Sequence, residues 1–144
     1  MTPDDANTVA VADESHWPRV WAWLSPKLAG RRVLALEGDL GAGKTTLVKA
    51  IAADLGYRGA VTSPTFSIVQ EYPTPAGPVY HFDLYRLGDV DEVLDLDFEG
   101  YLAAARLAVV EWPGVARALL PPAEALWVRI EHAAHGGGRQ CVVL

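Results

Sequence analysis

Gly38 to Thr45 reads GDLGAGKT, with Thr46 directly after it. This spacing fits GxxxxGK[ST], the pattern of a loop whose backbone N–H groups converge on phosphate oxygens. In that pattern Gly41, Ala42 and Gly43 let the backbone approach the anion, and Lys44 neutralises the β and γ phosphates. Thr45 offers its hydroxyl to Mg²⁺, and Thr46 sits near the α phosphate. Two carboxylates further along are candidates to complete the chemistry. Asp83 closes the apolar run VYHFD, and Glu111 closes LAVVE. Ligands of open α/β sheets bind outside the carboxyl ends of the strands, where both acids are expected. Mg²⁺ takes one or two carboxylates and keeps waters or phosphates elsewhere. One acid of the pair is therefore expected to hold the metal and the other to orient attacking water, in an order that spacing leaves open.

A phosphate loop works only where a strand leads in and a helix leads out, because the positive helix end faces the anion. Val33 to Leu36 is an apolar run suited to a buried strand. Leu47, Val48, Ile51 and Leu55 recur at helical spacing until Gly56. Upstream, Thr8 to Val11 alternates like an edge strand, and Asp13 or Ser15 can cap a helix whose face carries Trp17, Val20, Trp21, Leu24 and Leu28. That stripe reads as core. The segment around Glu14 and Ser15 is a further candidate to border the nucleotide base.

Downstream, VTSPTF at 61 to 66 must be extended or turned, because Pro64 biases Ser63 away from helix. Thr65 there is either a turn residue or a group that reaches the γ phosphate and couples loop order to nucleotide state. Residues 67 to 72 and 79 to 84 flank the breaker cluster PTPAGP and predict a hairpin. The acidic stretch 88 to 102 predicts one or two short helices, and Val115 to Leu120 a helical turn or two before Pro121-Pro122. Two closing strands are expected at Leu126 to Ile130 and Gln140 to Leu144. His132 and His135 lie beside a glycine turn without further ligands and read as solvated. Arg139, after the glycines, is placed to approach phosphate or base. The fold expected is α/β: a single P-loop NTPase domain over 1–144, with a central mostly parallel sheet, antiparallel hairpin additions and flanking helices.

Composition narrows the class. A 144-residue chain that is 51% hydrophobic suits one domain with a real core, and no apolar run approaches a membrane span. The start MTPDDANT is acidic and lacks a charged-then-apolar signal pattern, so a cytoplasmic protein without membrane contact is expected. Cys141 has no partner thiol. Net charge is −6 with only three Lys, so bulk electrostatics repel nucleic acid and leave room only for a local Arg patch. Any service to nucleic acid is expected to run through a protein partner. The only Asn is Asn7, which closes the NKxD route to guanine, and the transporter pattern LSGGQ is absent. ATP is the expected nucleotide.

GDLGAGKTT, SPTF, YHFDLYR and VEWP, in this order and at these distances, resemble the bacterial TsaE (YjeE) family. The resemblance covers most of the chain from about Glu14. It implies a Mg²⁺-dependent ATPase needed for the threonylcarbamoyladenosine modification of tRNA, slow alone and promoted by a complex of TsaD and TsaB, with tRNA engaged only indirectly. It implies phosphate and metal roles for Lys44, Thr45 and Thr46, an essential acid at Asp83, the Mg²⁺ carboxylate at Glu111, the aromatic beside it at Trp112 and a switch-like position at Thr65. Gly114 departs from the acidic residue expected in many members. Alone, the chain is expected to be a monomer or weak oligomer. Two other classes remain open on the residues: a small-molecule P-loop kinase, and a binding module that uses nucleotide only to order the loop at 61 to 67.

Overall fold

The computed structural model describes residues 7–28, 30–38, 43–61, 68–133 and 138–144. Thr65, Gly41, Ala42 and His135 lie outside the described residues.

Parallel pairing builds the middle of the molecule. Strands β2 (Val33–Glu37), β4 (Val79–Asp83), β5 (Leu107–Glu111) and β6 (Ala125–His132) form a parallel core in the order β6-β2-β5-β4. Their near-continuous apolar runs suit strands covered on both faces. Antiparallel strands extend this core at both edges. On one side β7 (Arg139–Val143) pairs with β6, and β1 (Thr8–Val11) with β7. On the other, β3 (Val69–Tyr72) forms the expected hairpin with β4, in register Tyr72↔Val79. Thr74 closes its turn: its hydroxyl donates to Gly77 O at 2.7 Å and accepts from Ala76 N at 3.1 Å.

Successive residues of a strand face opposite ways, so the sheet carries two cores. One face, with Leu34, Leu36, Val79, Val109 and Val128, packs under helices α1 (Trp17–Leu28) and α2 (Lys44–Asp54). The other, with Ala35, Tyr80, Phe82, Ala108 and Val110, packs under α3 (Val90–Leu94), α4 (Phe98–Ala104) and the 3₁₀ segment Pro113–Leu119. Phe82 meets Phe98 edge-on at 4.9 Å between centroids. The predicted α1 stripe is buried at all five positions. The Trp21 indole N–H ties α1 to α2 by donating to Asp54 Oδ2 at 2.9 Å.

Helix α2 stops where the sequence says it should. Gly56 takes φ 101°, its N–H bonds Ala53 O, and Tyr57 N bonds Ala52 O, the two hydrogen bonds of a Schellman ending. Strand β6 runs longer than its apolar core suggests, and β7 keeps the expected length one residue earlier. His132, expected in a loop, ends β6 opposite Arg139, because the hairpin ladder continues to Gly138. Asp97 is the N-cap of α4 in the left-handed region, at φ 59°. Among the described residues no helix is long and apolar enough to cross a membrane.

Candidate functional site

Parallel register decides what meets at the carboxyl end of the sheet. Asp83 lies beside Glu111 at the ends of β4 and β5, and Leu36 of β2 lies on the other side of Glu111. Gly38 follows β2, and α2 opens at Lys44. The lead-in strand and the lead-out helix therefore stand as the motif requires, with the acids of two neighbouring strands beside them.

Lys44 is buried at 4% exposure, and its ammonium has three described neighbours. It donates to Gly38 O at 2.6 Å, lies 3.9 Å from Glu111 Oε1, and sits 4.1 Å over the Trp112 ring. Glu111 is equally buried. Its other oxygen, Oε2, accepts a hydrogen bond from His81 Nε2, and His81 has no solvent exposure. The Tyr72 hydroxyl stands 3.5 Å from His81 Nδ1 and donates to Gln70 Oε1 at 2.7 Å. A line of polar groups thus runs from the edge hairpin through His81 and Glu111 to the loop lysine. His81 was not among the residues singled out from the sequence. The available signal was period two: a strand that turns Asp83 toward the site turns His81 to the same face.

Asp83 is less enclosed, and its Oδ1 accepts from Tyr85 N at 3.1 Å. Trp112 follows Glu111 in the left-handed region, at φ 55° and ψ 56°. A bulky residue rarely stays there unless its surroundings hold it. Here Pro113 follows directly, Lys44 covers the ring, and Tyr85 packs on it at 5.0 Å between centroids.

A cavity of about 250 Å³ opens beside the start of α2. Glu14, Thr46 and Arg139, three of the predicted binding residues, all line it, together with Trp17 and Gly43. Glu14 belongs to the 3₁₀ turn Glu14–His16, capped by Asp13. Hydrogen bonds from the Ser15 hydroxyl and N–H hold the Asp13 carboxyl below its ordinary range, with nearby His16 adding to the effect. Gly43 caps α2 at φ 109°, and a Cβ there would stand 2.3 Å from the Trp17 ring. Thr45 is half-buried in the first turn of α2.

Among the described residues no group of three His, Cys, Asp or Glu could hold a metal by itself. Thr45 and Glu111 carry hard oxygens, the donor type that Mg²⁺ takes together with phosphates and water.

A family model described as threonylcarbamoyl adenosine biosynthesis protein TsaE matches residues 11–141. The chain belongs to the TsaE family. Proteins carrying the name tRNA threonylcarbamoyladenosine biosynthesis protein TsaE align with it from several bacteria. The Haemophilus influenzae protein is 41% identical over 63% of this chain and 58% of its own length. That of Bacillus subtilis is 45% identical over 70% and 62%, and that of a Nostoc species 38% over 78% and 71%. The match thus spans about three fifths of the first two relatives. Among solved structures, the crystal structure of Bacillus subtilis YdiB superposes with a TM-score of 0.66 at 30% identity, covering 94% of this chain and 82% of that one. The TsaE-family chain has a P-loop NTPase-like fold, as its motif and strand order require.

Proposed function

We propose that this chain binds ATP with Mg²⁺ at the loop ending in Lys44 and Thr45, and hydrolyses it in support of the threonylcarbamoyladenosine modification of tRNA. The observation that carries the proposal is the buried Lys44 and Glu111 pair, 3.9 Å apart where β2 and β5 end and α2 begins. A buried ion pair is costly unless something else uses it, and a triphosphate would take over the lysine. Lys44 turns from Gly38 O to the β and γ phosphates, Gly43 and the N-terminus of α2 present N–H groups, and Thr46 and Arg139 border the α phosphate and nucleoside. Mg²⁺, held by the Thr45 hydroxyl with Glu111 as its carboxylate, would neutralise developing phosphate charge. Asp83, beside Glu111 and half-buried, is the group that orients attacking water. Trp112 screens the lysine from bulk water.

The membership in the TsaE family supports tRNA modification as the setting. TsaD and TsaB are the proposed partners and tRNA is engaged through them. Turnover in the cytoplasm would then be slow alone and rise when the partners complete the site. The test is ATP hydrolysis by purified protein, with and without TsaD and TsaB. Mg²⁺-dependent turnover that the partners raise, and that Lys44→Ala abolishes, is expected. Full-speed hydrolysis in isolation, indifferent to the partners, would sink the proposal.

A further inference from the structure

A large cavity lies away from the proposed nucleotide site. It measures about 660 Å³, within the range of small-molecule sites. Its lining includes Arg31, Arg32 and Arg106. The topology forces this meeting. β2 and β5 are parallel neighbours, each begins directly after an arginine, and register Val33↔Ala108 sets their amino ends side by side. This end of the sheet is opposite the one that carries the phosphate loop.

Charge makes the cluster unusual. Acids outnumber bases 18 to 12 in this chain, yet among the described residues no carboxylate lies within 4 Å of these three guanidiniums. Arg117 and Arg129, by contrast, both reach Glu37. The carboxylate in the cavity wall, Asp54, accepts from the Trp21 indole. Arg32 is held in place as well, since its Nη1 donates to Ala103 O at 3.1 Å near the end of α4, leaving further N–H donors of the fork for a ligand.

We propose that this cavity is a second anion site, which takes a ligand presenting two or three phosphate groups. Guanidinium forks match phosphate oxygens in pairs, and three of them around one cavity ask for more than a single negative charge. Trp21 is buried and its N–H already used, so the cavity grips phosphates and not a base. Two sources share this chemistry, a free polyphosphate and an RNA backbone. The site stands apart from the nucleotide loop and does not rest on the function proposed above.

The first probe is sodium tripolyphosphate, titrated calorimetrically into the full chain carrying Lys44→Ala, with folding followed by circular dichroism. Saturable binding is expected to remain, and to weaken by about tenfold or more when Arg31→Gln, Arg32→Gln and Arg106→Gln are added. In otherwise wild-type protein, tripolyphosphate should protect the three arginines from phenylglyoxal. Ala104→Glu, which sets a carboxylate in the cavity wall and keeps every arginine, should remove that protection; this arm decides if Lys44→Ala does not fold. Absence of protection in the wild type overturns the site, as does binding that the glutamines leave unchanged. A labelled single-stranded RNA then separates the sources. RNA affinity that falls about 20-fold between about 50 and 200 mM salt, and is lost with the glutamines, assigns an RNA backbone. Tripolyphosphate binding without RNA binding assigns a free polyphosphate.

Discussion

His81 and Glu111 are hydrogen bonded to each other inside the sheet, Nε2 to Oε2, on adjacent parallel strands. His81 sits two residues before Asp83, and Asp83 is the register partner of Glu111. The histidine therefore reaches the carboxylate from below, and leaves Glu111 Oε1 turned to Lys44 at 3.9 Å. One oxygen is anchored and the other serves the site. In the reading proposed above, His81 is a positioning residue for the metal carboxylate.

Replacing His81 by Gln should lower kcat for ATP about 10- to 100-fold, the usual effect of removing a partner behind a metal ligand. Nucleotide affinity should change little, because the loop and Lys44 are untouched. Stopped turnover assays beside equilibrium binding of a fluorescent ATP analogue read the two separately. A parallel fall of both would mean that His81 only supports packing.

Gly43→Ala should damage the loop on two counts. Its φ of 109° is unfavourable for any side chain, and the added Cβ would meet Trp17 at 2.3 Å. The expected result is a loss of about 1–3 kcal/mol in stability by urea unfolding. Nucleotide binding should fall with it. Trp17→Leu in the same chain removes the clash and should restore part of the stability, but not the part due to φ.

Trp112→Gly separates strain from contact. Glycine accepts φ 55° without cost, and a strained residue there holds about 1–3 kcal/mol. The substitution also removes the ring over Lys44 and the packing against Tyr85. Thermal stability should therefore fall less than for Trp112→Ala, while both variants lose ATP turnover. A glycine variant less stable than the alanine one would show that the backbone is not strained.

Cys141 carries a pH signature. Burial in the core pushes its thiol from 9.0 up to about 12. A pKa raised in the folded state means stability is fully present below pH 9 and is lost as pH climbs toward 12. The slope should reach at most about 1.4 kcal/mol per pH unit. Urea midpoints measured at rising alkaline pH should fall more steeply for the wild type than for Cys141→Ala. The native thiol should also resist iodoacetamide at neutral pH and react on unfolding.

Short-range pattern alone was enough to locate the strand before the glycine-rich loop and the helix after it, the α1 stripe, the β3 to β4 hairpin and the two acids at strand ends. Each of these is written in spacing: period two or 3.6 for burial, glycine and proline for turns, and a lysine at a fixed distance from its glycines. The chain does not write its neighbours across the sheet in the same way. Strand order and register follow from packing two faces at once, so only the fold sets β4 and β5 side by side and brings His81 onto Glu111. By the same non-local pairing, Glu111 and not Asp83 faces Lys44, Glu14 and Arg139 meet around one cavity, and Arg31, Arg32 and Arg106 gather at the far end of the sheet. The residue types were legible in order; their partners, more than twenty residues away, were decided by the sheet.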